Sequence, residues 1–356
     1  MLGRNNTPFA AIGFEQAHRD GHDMGVIAVR GRYTIDEDGE LALAPEQELV
    51  LVDEYEGDPH TTPLLKAADL VPFKPSTDIS ILGKAYAPTG HPSTEWIAGV
   101  RIGKWANAVR INGRRHWLWR AKSWRLSAPE PIDEVAMDYR NAAGDLSWDQ
   151  NDDPEVPQNP IGIKRPPREG NENDDALPVA LIDSLDDDYS DIFASKTPKG
   201  FSPVPPFWRL RQQYAGTYDD AWVAERHPQL PEDFDYRFYQ SAHPDMIYPG
   251  YLAGDEFIEL ARVTPGGGTL RFSLPGVQPT ALYRWRDGRE VRVLLNLDGL
   301  HIDLRQTPYQ VDITWRSWLP ICPNFLRIEL TVDELNAMRT SGLPRATIDG
   351  LSEETA

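Results

Sequence analysis

The chain has 356 residues, 40% of them apolar, and a formal net charge of −19. That length buries a large core, as one large domain or two of ordinary size. An acid excess of this size repels phosphate backbones and so argues against a nucleic-acid partner. No apolar run reaches membrane-spanning length, and the opening MLGRNNTPFAAIGFEQAHRDGHD lacks the charged and apolar regions of a signal peptide. A cytoplasmic protein without membrane insertion is therefore expected. The single cysteine, Cys322, leaves no intrachain disulfide or cysteine metal cluster, and in LPICPNF it reads as a small buried hydrophobe.

From Met24 the pattern is that of strands, with Val29, Gly31, Tyr33 and Ile35 on one side and Arg30, Arg32 and Thr34 on the other. Asp36 to Gly39 reads as a turn, and Leu41, Leu43, Leu49 and Leu51 continue the alternation. Ile79 and Ile81 open another strand, and Trp96, Ala98, Val100 and Ile102 line one face of the next. Asn112-Gly113, between VRI and RRHW, is a strong hairpin signal because both central turn positions need positive φ. Residues 1–128 are thus expected to form an N-terminal β lobe.

Over 129–199 the period stops. Between Glu130 and Asp191 stand eighteen acids against four bases, so this reads as an acidic, irregular connecting insertion, ordered only where it touches the lobes. IDEVAMDYRNAAG offers one short amphipathic helix. Asp186, Asp187 and Asp188 are either a solvated face or a docking surface for a basic partner. Residues 200–256 gather aromatics among prolines and glycines, a composition suited to an extended clasp packed on both lobes. In 257–356 strands return as a C-terminal β lobe. Turns are expected at Gly266 to Gly268, Asp287-Gly288 and Asp298-Gly299, and Val311, Ile313 and Trp315 alternate with Asp312, Thr314 and Arg316. Thr331 and Glu334 have capping-box spacing, which predicts a short helix over TVDELNAMR ending near Gly342. The fold class expected is mainly β: two antiparallel sandwich- or barrel-like lobes joined by the acidic insertion and the clasp.

Chemistry-bearing patterns are sparse. HRDGHD places His18, Asp20, His22 and Asp23 together, but the i, i+4 histidine spacing serves a metal on a helix and Gly21 argues for a turn, so a polar turn without metal is expected. No GxSxG elbow and no GxxxxGK[ST] loop occurs, and PGGGTLRF reads as a hairpin turn. The carboxylates Asp219, Asp220, Asp233, Asp235 and Glu256 lie among clasp aromatics, as in a glycosidase or carbohydrate-binding surface. Acids at tight turns also cap local backbone, the preferred reading for GTYDD and EDFDY. No catalytic residue and no cofactor is assigned.

Several blocks together resemble a large bacterial domain-of-unknown-function family whose genes accompany type VI secretion effectors and PAAR-domain spike tips. They are LVPFKPSTDISILGKAYAP at Leu70 to Pro88, NPIG at Asn159 to Gly162, GFSPVPPFWRLRQQYAGTYDDAW at Gly200 to Trp222, LPEDFDYRFYQSAHPD and YLAGDEFIEL. LLNLDGLHIDL and VDITWRSWLP look like the same family's closing strands, so the resemblance spans roughly residues 8 to 320. It implies a non-enzymatic cytoplasmic adaptor or chaperone of a Gram-negative bacterium, which holds an effector or PAAR-domain protein and loads it onto the VgrG spike. Motif residues carried over are Asn159, Gly162, Trp208, Gly216, Thr217, Tyr218, Asp219, Trp222 and Asp235, with Trp208, Tyr218 and Trp222 as a partner-binding platform. PIDEVAMDYRNAAGD and the acidic stretch from Glu169 to Asp191 depart from the family's pattern, which bears on the cargo. Rival readings are a carbohydrate-binding or glycoside-hydrolysing β protein and a structural component of the spike.

Overall fold

Period-two alternation builds a mainly β chain in the computed structural model, which describes residues 1–36, 39–149, 153–170, 176–189, 192–193, 196–338, 341–347 and 350–351. A seven-stranded sheet runs Ile247–Tyr248, Thr77–Leu82, Asn296–Asp303, Tyr309–Pro320, Asp23–Ile35, Ala10–Ala17, with Leu41–Leu43 also pairing Asp23–Ile35. Its ladders are antiparallel except that Thr77–Leu82 lies parallel to Asn296–Asp303. A five-stranded sheet takes Ile182–Asp183, Trp105–Asn112, Glu95–Ile102, Phe257–Thr264 and Gly268–Ser273 in order, and a four-stranded sheet takes Leu2–Asn5, Phe325–Glu334, Val277–Trp285 and Glu290–Leu294. Among the described residues no sheet closes into a barrel, and no helix is long and apolar enough to cross a membrane.

Segments expected in separate lobes share sheets. Asp23–Ile35 pairs along its length with Tyr309–Pro320, and Glu95–Ile102 pairs with Phe257–Thr264. The reason lies in the inner faces: Val29, Ile79, Ile302 and Ile313 of the largest sheet, Ala98, Val100 and Leu260 of the second, and Tyr283 and Ile328 of the third meet in one apolar core. Each fully buried aliphatic there contributes roughly 1.5–3 kcal/mol.

The glycine hairpin at 266–268 and the Asp287-Gly288 turn form where expected, Gly266, Gly267 and Gly288 having positive φ; of the turn expected from Asp36 to Gly39, residues 37–38 lie outside the described residues, and Gly39 N–H donates to Asp36 O at 3.2 Å. Other local expectations fail for identifiable reasons. Asn112-Gly113 is no hairpin: Gly113 N–H donates to Thr94 O at 2.9 Å, and a Cβ at Gly113 would lie 2.2 Å from Glu130 O. The glycine permits a close backbone approach, while the strand pairs instead with Glu95–Ile102 through a turn at Gly103, φ +57°. Asp298-Gly299 sits inside Asn296–Asp303 as a bulge, with the register shifting between Leu297 and Gly299. Leu51 and Val52 are exposed outside any strand. Thr331 and Glu334 belong to Phe325–Glu334, and the helix is only Leu335–Met338; residues 339–340 lie outside the described residues. Cys322 is exposed in the connection after Tyr309–Pro320.

The 129–199 region is stitched in more closely than an insertion. Instead of a helix it forms the strand Glu134–Ala136 and a 3-10 turn at Tyr139–Asn141, whose Asp138 caps Arg140 N–H. Tyr139 is fully buried, and Ile182–Asp183 edges the five-stranded sheet. Of the acidic stretch from Glu169 to Asp191, residues 171–175 and 190–191 lie outside the described residues.

Candidate functional site

The clasp divides into a buried base and an exposed tip. Trp208 is 1% exposed and packs edge-on against Tyr139 at 5.2 Å between ring centres. It is core, so the expected platform loses this member. Asn159 is equally buried; its Nδ2 donates to Tyr139 O at 2.9 Å and Ala143 O at 3.1 Å. A Cβ at Gly162 would stand 2.2 Å from that same Nδ2, so NPIG is a packing motif in which the glycine admits the asparagine.

Tyr218 and Trp222 remain at the surface, their rings edge-to-face at 4.7 Å. Asp219 caps the short helix Asp220–Glu225 by accepting Trp222 N–H at 2.8 Å, and Trp222 Nε1 donates to Gln229 O at 2.9 Å. No residue of that helix is buried; Tyr218 is 53% and Val223 60% exposed. Gly216 has φ +79°, which lets Asp233 accept from Thr217 N–H at 2.9 Å and Thr217 Oγ1 at 2.8 Å. Asp235 accepts from Arg237 N–H at 2.9 Å and Nε at 2.8 Å, and Glu256 from the amides of Ala253 and Gly254. These clasp carboxylates are therefore caps. Asp233 is held below the usual carboxylate range by the Thr217 amide and hydroxyl; for Asp235, Arg237 outweighs the opposing effect of burial.

Asp186 and Asp188 are exposed on a turn whose backbone Arg110 grips, donating to Asp187 O at 3.2 Å and Leu185 O at 2.5 Å. Asp187 turns inward to accept Ser184 N–H at 3.0 Å.

Sequence reasoning missed a buried cluster of paired charges. The seven-stranded sheet buries its second face too, so Arg30, Asp312 and Arg316, expected on a polar side, are all enclosed. Register sets Ser80, His301, Asp312 and Arg32 side by side on four adjacent strands. Asp312 accepts from Arg30 Nη2 at 2.7 Å and Arg32 Nε at 3.0 Å, Arg30 reaches Asp69 at 3.2 Å, and Arg316 pairs with Asp298 and Asp69. Lys74 Nζ meets Asp78 Oδ2 at 2.7 Å, and the same oxygen takes Ser241 N–H at 2.6 Å. The clasp is thereby bolted to the sheet. Four of the resemblance blocks converge here, supplying Lys74, Asp78 and Ser80; Ser241; Asp298 and His301; and Asp312 and Arg316. The available signal was charge alternating with apolar residues in strands too central to have a solvated face.

A cavity of about 40 Å³ opens among Arg30, Lys74, Asp78, Ser80, Ser241 and His301. Burial would raise Asp312, but Arg30 and Arg32 hold it down at about 2. Burial pushes Asp298 up to about 6 against Arg316, and His301 down to about 4 despite Asp312. Ser80 Oγ and His301 Nδ1 are 2.8 Å apart. In a nucleophilic relay the carboxylate must bond the opposite ring nitrogen. Here both Asp312 oxygens are taken by arginines and His301 Nε2 makes no hydrogen bond. The row has the chemistry of a lock, whereas Tyr218 and Val223 are exposed beside the half-buried Trp222.

No curated protein and no solved structure matches this chain. A family model described as an uncharacterized protein conserved in bacteria matches residues 20–316, reaching from the first hairpin through the charged sheet face and the clasp. On that match the chain belongs to the DUF2169 family.

Proposed function

We propose that this protein is a non-enzymatic adaptor or chaperone that binds a type VI secretion effector or PAAR-domain protein in the cytoplasm and loads it onto the VgrG spike. The observation that supports this reading is the clasp tip: Tyr218 just before, and Trp222 and Val223 on, a short helix with no buried residue, carried on a base locked by buried ions. Rigid aromatics on a fixed scaffold lose little entropy on binding and make strong interface anchors. The exposed Asp186 and Asp188 offer a separate negative contact suited to a basic cargo face.

The test is a pull-down from a type VI-active host at low and high salt, comparing wild type with Tyr218→Ala/Val223→Ser and with Asp186→Asn/Asp188→Asn. Recovery of a PAAR-bearing effector or VgrG, lost in the first variant at unchanged Tm, supports the reading. No such protein under firing conditions, or undiminished recovery with the first variant, overturns it. Recovery by the acid variant with unaltered salt dependence removes the acidic turn from the interface.

A further inference from the structure

The tip of the hairpin joining Ala10–Ala17 to Asp23–Ile35 brings together His18, Asp20 and His22 beside the clasp. One ligand atom from each, an imidazole nitrogen or a carboxylate oxygen, lies within 4.8 Å of the other two. The tip is tightly built: His18 N–H donates to His22 O at 2.8 Å, Gly21 N–H to His18 O at 2.8 Å, and Gly21 sits at φ +88°. The turn thus does for an i, i+4 histidine pair what a helix would do, gathering both on one side. Packing holds His18 in place, stacked on His22 at 4.5 Å, on Tyr236 at 5.3 Å and on Trp318 at 5.5 Å; rings stacked 20° apart cannot both aim a lone pair at one ion, so binding requires the His22 ring to turn out of the stack. His22 Nε2 is buried without a hydrogen-bond partner, an arrangement that is costly unless something coordinates or bonds that atom.

We propose that His18, Asp20 and His22 bind one divalent transition-metal ion, with zinc as the best fit. Two imidazoles with one carboxylate suit zinc, cobalt or nickel; calcium and magnesium want oxygen ligands throughout. Zinc bonds of about 2.0–2.2 Å to nitrogen and oxygen require the ligand atoms to draw in by roughly an ångström. Asp20, 67% exposed at its side chain, has the freedom to do so. A fourth position falls to water or to the side-chain amide of Gln229, which stands beside Gly21. The ion would tie the hairpin tip to the clasp, where Arg19 N–H already donates to Tyr236 Oη at 3.1 Å and Arg226 donates to Arg19 O.

The experiment takes the full chain without a histidine tag, strips it with a chelator, and titrates it with Zn²⁺ by calorimetry and with Co²⁺ by visible absorption. Saturable binding of one ion per chain is expected, with a rise in Tm. Asp20→Asn and His22→Ala should each weaken binding by at least about tenfold, the scale seen for disturbed metal ligation. His18 lies within the aromatic stack, so its removal also tests folding; Asp20→Asn, at an exposed side chain, does not. Absence of saturable Zn²⁺ binding to the folded wild type, or equal affinity in wild type and Asp20→Asn and His22→Ala, overturns the proposal.

Discussion

Ala121 and Lys122 turn the chain between His116–Arg120 and Ser123–Leu126 with φ of 49° and 60°. A left-handed conformation costs an L-residue roughly 1–2 kcal/mol, partly offset in glycine by its greater unfolded-state entropy. Lys122→Gly is therefore expected to stabilise the protein by roughly 0.5–1 kcal/mol; a lower urea midpoint than wild type would contradict this. Trp208 answers to a different term. Its indole fills space against Tyr139 and Val204, so Trp208→Ala should cost about 3–5 kcal/mol by cavity formation. Trp222→Ala, at the clasp surface, should cost far less, and similar Tm losses in both would mean that the tip is core after all.

At the scale of elements, the clasp is held by a few buried charges. Asp78 alone serves Lys74 and both the amide and hydroxyl of Ser241. Asp78→Ala leaves the enclosed ammonium without its partner, and breaking a buried pair in this way costs about 3–5 kcal/mol. The loss should be local as well as global: limited proteolysis is expected to cut the clasp earlier in Asp78→Ala than in wild type at matched overall stability in mild urea. Equal cleavage rates would mean that the aromatic contacts of Phe234, Tyr236 and Trp318 hold the clasp unaided.

For the whole molecule the buried imidazoles set a pH dependence. Burial pushes His243 and His301 down to about 4, whereas in the unfolded chain each titrates near ~6.5. The unfolded chain thus binds protons first as pH falls, so this stability is present above ~6.5 and is lost on the way down towards pH 4. Asp298, raised to about 6, has the opposite sign: the folded state takes its proton first, which opposes the loss between about pH 6 and 4. Asp183, which burial also raises, has the same sign as Asp298, so the decline is clearest between about pH 6.5 and 6, where the imidazoles act before Asp298 protonates; each imidazole and Asp298 is worth roughly 1–3 kcal/mol across its window. Asp312, held at about 2, adds a further loss as pH falls from ~3.8 to 2. Urea midpoints measured from pH 7 to 6 should fall, and His301→Gln should flatten the curve; an unchanged slope in that variant would exclude His301 as the source.

How much of this was legible in the sequence follows from the range of the interactions. Alternation is a property of neighbouring residues, so the strands at Val29 to Ile35, Trp96 to Ile102 and Val311 to Trp315, the glycine hairpin and the caps by Asp219 and Asp235 could be read from the chain. The local reading broke wherever a residue's role depends on what lies opposite it. Gly113 is shaped by Glu130, Gly162 by Asn159, and the Asp298-Gly299 bulge by its partner strand. Most of all, period two assigns residues to two faces without saying whether the second meets water. Sequence by itself determined a mainly β chain with an aromatic clasp. Tertiary structure alone decided that Arg30, Asp312 and Arg316 are buried together, that Trp208 is core while Tyr218 is not, and that His18, Asp20 and His22 meet, because each depends on contacts between strands and loops far apart in the chain.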